Sequence, residues 1–213
     1  MNNELKTNII TTVFAITCLI LYLAFPFGDL EFENWLGMLC VLFILPILYS
    51  KIILHKTSRD IGFGKINMDK RGWFFLASSV IVGGLISFLI ISMEFGRNAY
   101  IDSLSPTIAT HFGAFMFYEL IFMALSMFLF TFFSFGFIYS IKYKNEIFSK
   151  IFSIAVFIVF LADFYISAIL WIPLLAPVFF IKQIRYNKNI IFMFLALFII
   201  ALMIDTLVIK SIL

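Results

Sequence analysis

Three carboxylates lie inside or at the edge of long apolar stretches of this chain and are its first candidates for chemistry: Glu119, Asp163 and Asp205. If those stretches cross a bilayer, a charge at the centre costs at least about 2.5–3.5 kcal/mol on insertion scales, and acids at that depth usually have a function. Such acids can form a cluster that binds a cation or relays protons between helices. The alternative is that all three reach the outer interface and are solvated or paired there.

The other chemically reactive residue types do not form a recognisable site. Cys18 and Cys40 both lie inside apolar runs, and their spacing fits neither a zinc site nor a disulfide framework, so we predict that they are buried packing residues. His55 and His111 lie outside the apolar runs and are predicted to be at the surface. Carboxylates without His or Cys select weakly among metals. No metal, cofactor or catalytic residue is therefore predicted.

One basic stretch, residues 55–65, contains a Gly-x-Gly-Lys string that ends at Lys65. It lacks the preceding strand and the full glycine spacing of a loop that holds phosphate. We therefore predict that this stretch contacts anionic lipids of the inner leaflet rather than a nucleotide, and no nucleic-acid partner is expected.

The elements that would position the three acids are apolar helices. The chain is 63% hydrophobic and 13% charged, against roughly 25% charged residues in soluble domains. Its apolar runs are about twenty residues long, the length of a membrane-crossing α-helix, and they lack the alternation of barrel strands. We predict an all-α fold, a polytopic transmembrane helical bundle that forms a single membrane domain over residues 1–213.

Apolar runs separated by charge clusters predict about seven transmembrane helices. Their approximate spans are residues 9–25, 35–54, 73–93, 120–141, 147–162, 164–181 and 190–209. The fifth and sixth are divided near Asp163, because one helix from Lys150 to Lys182 would rise roughly 46 Å, well beyond a hydrocarbon core of about 30 Å. A bundle of six spans, with these two merged, is the alternative.

The distribution of basic residues predicts the orientation of the seven spans, since Lys and Arg near helix ends favour the cytoplasmic side of a membrane. With a cytoplasmic N-terminus, thirteen of the fifteen basic residues fall on the inner side, and only Arg97 and Lys210 fall outside. Merging the fifth and sixth spans would move the basic cluster at 182–188 to the outer face. We therefore predict a multi-pass protein of the cell membrane, with its N-terminus cytoplasmic and its C-terminus outside.

The third span contains small residues at every fourth position: Ser79, Gly83 and Ser87. Such a stripe lies on one helical face and lets two helix backbones approach closely in lipid. We predict that this face packs against another helix and that the third span is central to the bundle.

Three stretches of the chain are similar to one family of membrane proteins. The first is the basic linker with Ser58 to Phe63, and the second is Tyr118 to Leu120 followed by Phe132 to Phe137. The third is the basic turn at residues 185–190, just before the last span. On these stretches, and on its order of spans, the chain resembles the CPBP intramembrane proteases, which include CAAX prenyl endopeptidases and bacteriocin-processing or immunity proteins.

The resemblance also implies where catalytic residues should lie, and this chain departs from the family there. Setting Gly136 on the glycine of the family's Phe-Arg-Gly-Phe tract places Phe130 and Thr131 at the family's Glu pair. Asp163 lies in the following helix, where the family has His, and Leu197 lies near the last catalytic position. Peptide hydrolysis needs a base to deprotonate water and a group that stabilises the oxyanion. Phe and Thr supply neither.

The resemblance therefore implies a catalytically inactive relative that binds a membrane peptide, protects against a peptide toxin, or assists a partner membrane protein. Membrane lipids are its other expected partner. One alternative is a small transporter or channel subunit that uses the acidic residues of the outer leaflet, and another is an active protease with a rearranged acidic site. The residues of a possible polar site are Glu119, Thr131, Asp163 and Asp205.

Overall fold

The computed structural model describes residues 3–24, 31–64, 70–92, 113, 116–117, 119–141, 146–164 and 189–211. Six helices account for most of them: α1 (Asn3–Ala24), α2 (31–53), α3 (Lys70–Ser92), α4 (119–140), α5 (Glu146–Phe164) and α6 (Ile191–Lys210). Within these residues there is no strand, only an isolated bridge between Phe63 and Asn189. The predicted all-α fold is confirmed.

Five of these helices are long and apolar enough to cross a membrane, and α5 contains the shorter apolar segment Ile147–Phe160. Apolar helices of this length indicate a membrane protein, because lipid offers no partners for an open backbone. The predicted first to fourth spans correspond to α1–α4, the fifth to α5 and the last to α6, with ends shifted by a few residues. Helix α5 continues through Asp163 to Phe164, the first residue of the predicted sixth span. The remainder of that span, 165–181, lies outside the described residues.

Two of the helices contain wider, π-helical turns. In α2 these are Cys40–Ile44 and Tyr49–Ile53, and in α4 they are Glu119–Met123 and Phe132–Phe137. A π turn inserts one residue into the helical repeat and rotates the side chains that follow it, and such turns are frequent at functional sites.

Contacts between aromatic rings show the relative directions of the helices around α4. Helix α2 runs in the same direction as α4, whereas α1 and α5 run in the opposite direction. The ring pairs are Trp35–Phe122 and Tyr49–Phe137 for α2, Phe14–Phe137 and Tyr22–Phe130 for α1, and Phe157–Phe135 and Phe160–Phe130 for α5. The end of the bundle at which residues 54–64 lie is called the loop end below.

Helix α4 forms the centre of the described bundle. Within the 18-residue apolar window of each helix, 72% of the residues of α4 are buried, against 28% for α3 and 50% for α6. Large side chains such as Phe132, Phe133 and Phe137 are fully enclosed. The prediction that the third span is central is therefore wrong, since α3 is at the periphery and α4 has the central position.

The small-residue stripe of α3 packs directly against α6, as predicted. A Cβ atom added at Gly83 would lie 3.0 Å from the Cβ of Met203 and 3.3 Å from the Cα of Ile200. The Ser87 hydroxyl lies 3.2 Å from the carbonyl oxygen of Met203. The contact with the α6 backbone moves from Ile200 at Gly83 to Met203 at Ser87, so α3 and α6 run side by side in the same direction. The opposite face of α3, which includes Phe88, is exposed.

Candidate functional site

The loop that follows α2 is locally well ordered by its own side chains. Thr57 precedes the 3₁₀ turn Ser58–Ile61, and its backbone N–H and its hydroxyl both donate to Oδ2 of Asp60, at 3.1 and 2.6 Å. The bond from the Thr57 N–H is one half of a capping box, whose other half joins the Asp60 N–H to the Thr57 side chain. A capping box satisfies donors that a helix start leaves unpaired. The turn ends at Gly62, whose φ of +97° is readily adopted only by glycine.

This loop folds back onto α4 through a second glycine. Ile61 is 1% exposed, and a Cβ added at Gly136 would lie 2.8 Å from the Ile61 carbonyl oxygen and 3.1 Å from the Phe132 ring. No real Cβ approaches a backbone oxygen that closely, so the loop can lie here only because residue 136 has no side chain. Gly136 is part of the π turn Phe132–Phe137.

The same loop also contacts the start of α6. The backbone N–H of Ile190 donates to the carbonyl of Gly62 at 2.9 Å, and Nδ2 of Asn189 donates to the carbonyl of Gly64 at 2.9 Å. Oδ1 of Asn189 accepts from the N–H of Ile191 at 2.8 Å, so this buried side chain caps α6 and holds the loop at once.

These contacts define a loop junction, formed by residues 58–64, the π turn Phe132–Phe137 and residues 189–190. All three stretches that resemble the CPBP family contribute to it, although residues 185–188 of the third lie outside the described residues. The junction is a packed arrangement of backbone, glycine and apolar side chains. Its role is structural, because it holds the loop after α2, the later part of α4 and the start of α6 together at the loop end.

Lys56 anchors the loop at a second point. Its Nζ donates to the carbonyl oxygen of Ser140 at 2.8 Å and lies 3.1 Å from the hydroxyl of the same residue. Ser140 is the last residue of α4, where carbonyl groups lack helical partners and the helix dipole favours a positive charge. Lys56 is therefore a cap for α4 and differs from the exposed basic residues around it.

The positions that the resemblance assigns to catalysis are filled with closed packing. Phe130 is 1% exposed, and its ring stacks on that of Phe160 with centroids 4.7 Å apart. The buried hydroxyl of Thr131 donates to the carbonyl of Met127 at 2.6 Å, within its own helix. Leu197 is also fully buried. The segment Ala124–Thr131 packs against both α5 and α6, as the resemblance requires, but Phe130 and Thr131 supply no base.

Among the three candidate acids, Asp205 is the one whose side chain is described, and it is buried. It lies on the face of α6 that also carries Phe194 and Ala201, and Phe194 contacts Phe128 of α4 with ring centroids 5.6 Å apart. Glu119 begins α4 and Asp163 is in the last turn of α5, but their side chains lie outside the description.

The directions of the helices place all three acids toward the end of the bundle opposite the loop. Helix α6 runs opposite to α4. Ile190, just before α6, and Gly136 both lie against Gly62, whereas Phe194 contacts Phe128, which is earlier in α4. The end of α5 and the later part of α6 consequently lie toward the end of α4 at which Glu119 lies. That the three carboxylates form one cluster stays a prediction.

The remaining sequence candidates lie as follows. Cys18 is buried, as predicted, but Cys40 is exposed on α2, so the prediction of a buried packing role is wrong for it. His55 is exposed, and His111 lies outside the described residues. Within the described residues, no three His, Cys, Asp or Glu side chains lie together in a group that could hold a metal ion.

Asn189 and Lys56 are the positioning residues that the sequence alone did not identify. For Asn189 a local signal existed, since Asn directly before an apolar helical run is a typical N-cap. For Lys56 there was none, because its partner lies in a different helix.

Comparison with protein-family models, curated proteins and solved structures gives no match for this chain.

Proposed function

We propose that this chain is a multi-pass membrane protein with a CPBP-type scaffold and no peptidase activity of its own, which binds a membrane-embedded peptide or a partner membrane protein. The observation that carries the proposal is the loop junction. Parts of three stretches that are far apart in the sequence, and that together carry the resemblance to one family, contact each other there.

The environment of Phe130 and Thr131 supports the lack of peptidase activity. An intramembrane hydrolase needs water and a base at these positions. Here a stacked ring pair and a hydroxyl bonded within its own helix occupy them. A scaffold whose catalytic positions are filled in this way can still recognise a peptide between helices, which is the role that the resemblance implies.

We also propose seven spans, with the loop end cytoplasmic. Helices α3 and α6 run in the same direction. Helix α3 therefore ends at the end of the bundle opposite the loop end, whereas α6 begins at the loop end. These directions favour an odd number of crossings between Ser92 and Ile191. Helices α4 and α5 account for two of them, and the proposed span at 164–181 would be the third. This supports seven spans over six.

The test is photo-crosslinking of the purified protein in proteoliposomes to a set of membrane peptides, with and without a lipid anchor. The proposal predicts saturable crosslinks to at least one peptide and no new peptide termini by mass spectrometry. Gly62→Ala, which disturbs the loop junction, should weaken crosslinking, and Gly84→Ala serves as the matched control because only Met203 Cε lies within 4 Å of its added Cβ, at 3.9 Å.

Two results would contradict the proposal. Cleavage of a peptide by the unmodified protein would show an active enzyme, and the absence of any saturable crosslink would remove the binding role.

The burial of Asp205 favours a second candidate function, that of a small transporter or channel subunit. A carboxyl group that is 5% exposed on an apolar helix long enough to cross a membrane can take part in proton or cation transfer. In proteoliposomes this candidate predicts a proton or cation flux that Asp205→Asn abolishes and that Ser211→Ala, at the exposed end of α6, leaves unchanged. Equal rates for protein-containing and empty vesicles would exclude it.

A further inference from the structure

Four exposed cations lie at the loop end of the bundle: Lys6, Lys51, Arg59 and Lys70. They come from the start of α1, the last turn of α2, the 3₁₀ turn and the first residue of α3. The hydroxyls of Thr11 and Tyr49, 3.2 Å apart, join the first two helices at this end. We call these four residues the cationic face.

Within the part of the chain that the structure describes, none of the four forms an ion pair. Asp60, which directly follows Arg59, accepts two hydrogen bonds from Thr57 and is part of the capping box. Lys56, which caps α4, is not part of the face. The fold therefore leaves four positive charges exposed at one end of the bundle.

Each cation of the three long helices lies next to exposed apolar side chains of the same helix. These neighbours are Leu5 and Ile9 on α1, Ile52 and Ile53 on α2, and Trp73 and Phe74 on α3. A basic residue beside lipid-facing apolar groups extends its charge to the headgroup layer, and Trp is enriched at that same depth. The neighbours thus place the cationic face at the level of the lipid headgroups.

The opposite end of the bundle differs. Among the residues that the structure describes there, Lys210 is the one exposed cation.

We propose that the cationic face is a binding surface for the phosphate headgroups of anionic phospholipids. The surface holds an annulus of these lipids around α1, α2 and the start of α3. A basic residue close to an anionic membrane contributes about 1 kcal/mol, which corresponds to roughly fivefold in affinity. This inference does not depend on the proposed peptide-binding function, because it concerns the outer surface of the loop end.

The experiment compares phosphatidylglycerol with phosphatidylcholine bound to the purified protein in a neutral detergent, by native mass spectrometry. The unmodified protein should retain phosphatidylglycerol preferentially, and 0.5 M NaCl should remove most of that preference, since exposed charges are screened at that ionic strength. Each of Lys6→Gln, Lys51→Gln, Arg59→Gln and Lys70→Gln should weaken phosphatidylglycerol binding by up to fivefold, and their combination should bring it to the phosphatidylcholine level.

Two variants and one competitor separate a charge effect from a folding defect. Lys210→Gln removes a cation at the opposite end and should change nothing, and the combined Lys6→Arg, Lys51→Arg and Lys70→Arg variant should bind as the unmodified protein does. Inorganic phosphate at the lipid's concentration should not displace phosphatidylglycerol. Equal binding of the two lipids, an equal loss in Lys210→Gln, a loss in the arginine variant, or displacement by phosphate would each overturn the proposal.

Discussion

Helices α4 and α3 contact their neighbours in two different ways. Helix α4 presents large aromatic side chains that interlock with rings from α1, α2 and α5, and most of its surface is buried. Helix α3 uses the small side chains of Ser79, Gly83 and Ser87 to bring its backbone against α6, and leaves its other face exposed. The two regions thus show two ways to pack apolar helices: interlocked rings around α4, and a close backbone contact between α3 and α6 at Ser79, Gly83 and Ser87. The second is called the seam below.

The difference follows from the solvent. Lipid tails are as apolar as the side chains, so transfer from lipid into protein provides little driving force, and dense packing must supply the stability. Rings achieve this by contacting many atoms at once, whereas small residues achieve it by letting two backbones approach. Removing a ring from α4 should therefore leave a cavity, while adding a methyl group to the seam should push two helices apart.

The largest effect is expected for Phe130→Ala in α4. Truncating a buried Phe costs about 3–5 kcal/mol when the cavity does not collapse, and Phe130 is held between the rings of Tyr22 and Phe160. The measurement is the free energy of unfolding by SDS titration in mixed micelles. Phe88→Ala is the matched control, because Phe88 is exposed on α3 and its loss should cost less than about 0.5 kcal/mol. Similar losses for the two variants would refute the distinction between core and exposed face.

A smaller loss is expected for Gly136→Ala at the loop junction. The added methyl group would press against the backbone carbonyl of Ile61, which cannot swing away as a side chain can. Overpacking of this kind costs about 1–3 kcal/mol. Hydrogen exchange should report faster exchange of the Ile190 N–H, since its acceptor, the Gly62 carbonyl, belongs to the displaced loop. Unchanged exchange at Ile190 would show that the loop and α6 are not coupled.

Two adjacent glycines of α3 provide the sharpest test of the seam. Gly83→Ala should destabilise by about 1 kcal/mol or more, because the new Cβ would crowd Met203 and the backbone of Ile200. Gly84→Ala should be neutral or should stabilise by up to about 1 kcal/mol, since alanine is the better helix former and has room there. SDS unfolding of both variants measures the difference, and equal values would show that α3 and α6 are not in close contact.

The smallest effect is expected for Ser87→Ala. Its hydroxyl lies 2.7 Å from the Gly83 carbonyl and 3.2 Å from that of Met203, so only the second contact joins the helices. Side-chain hydrogen bonds between membrane helices average about 0.6 kcal/mol. Ser78→Ala is the control, because that hydroxyl donates to Phe75 within α3. The two variants should differ in unfolding free energy by no more than this amount, with Ser87→Ala the less stable.

The seam could be predicted from the sequence, because small residues at every fourth position have few other uses in an apolar helix. The central position of α4 could not. Hydropathy reports that a residue avoids water, but it does not distinguish lipid from protein as the surroundings. The many Phe residues of α4 therefore look the same in the sequence as the exposed Phe74 and Phe88 of α3.

The loop junction could be predicted only in part. Both Gly62 and Gly136 are visible in the sequence, yet nothing there pairs them, because they are 74 positions apart and belong to different elements. Their contact depends on how the loop after α2 packs on α4. The cap formed by Asn189 was predictable in type, but its bond to the Gly64 carbonyl was not.

The parallel arrangement of α3 and α6 is tested most directly by thiol labelling from one side of the membrane. With Cys18 and Cys40 replaced by Ala, single cysteines are introduced at Arg59, in the exposed loop, and at Ser211, after α6. In oriented vesicles, a membrane-impermeant maleimide should label the two positions from opposite sides. Labelling of both from the same side would contradict the arrangement of helices described above.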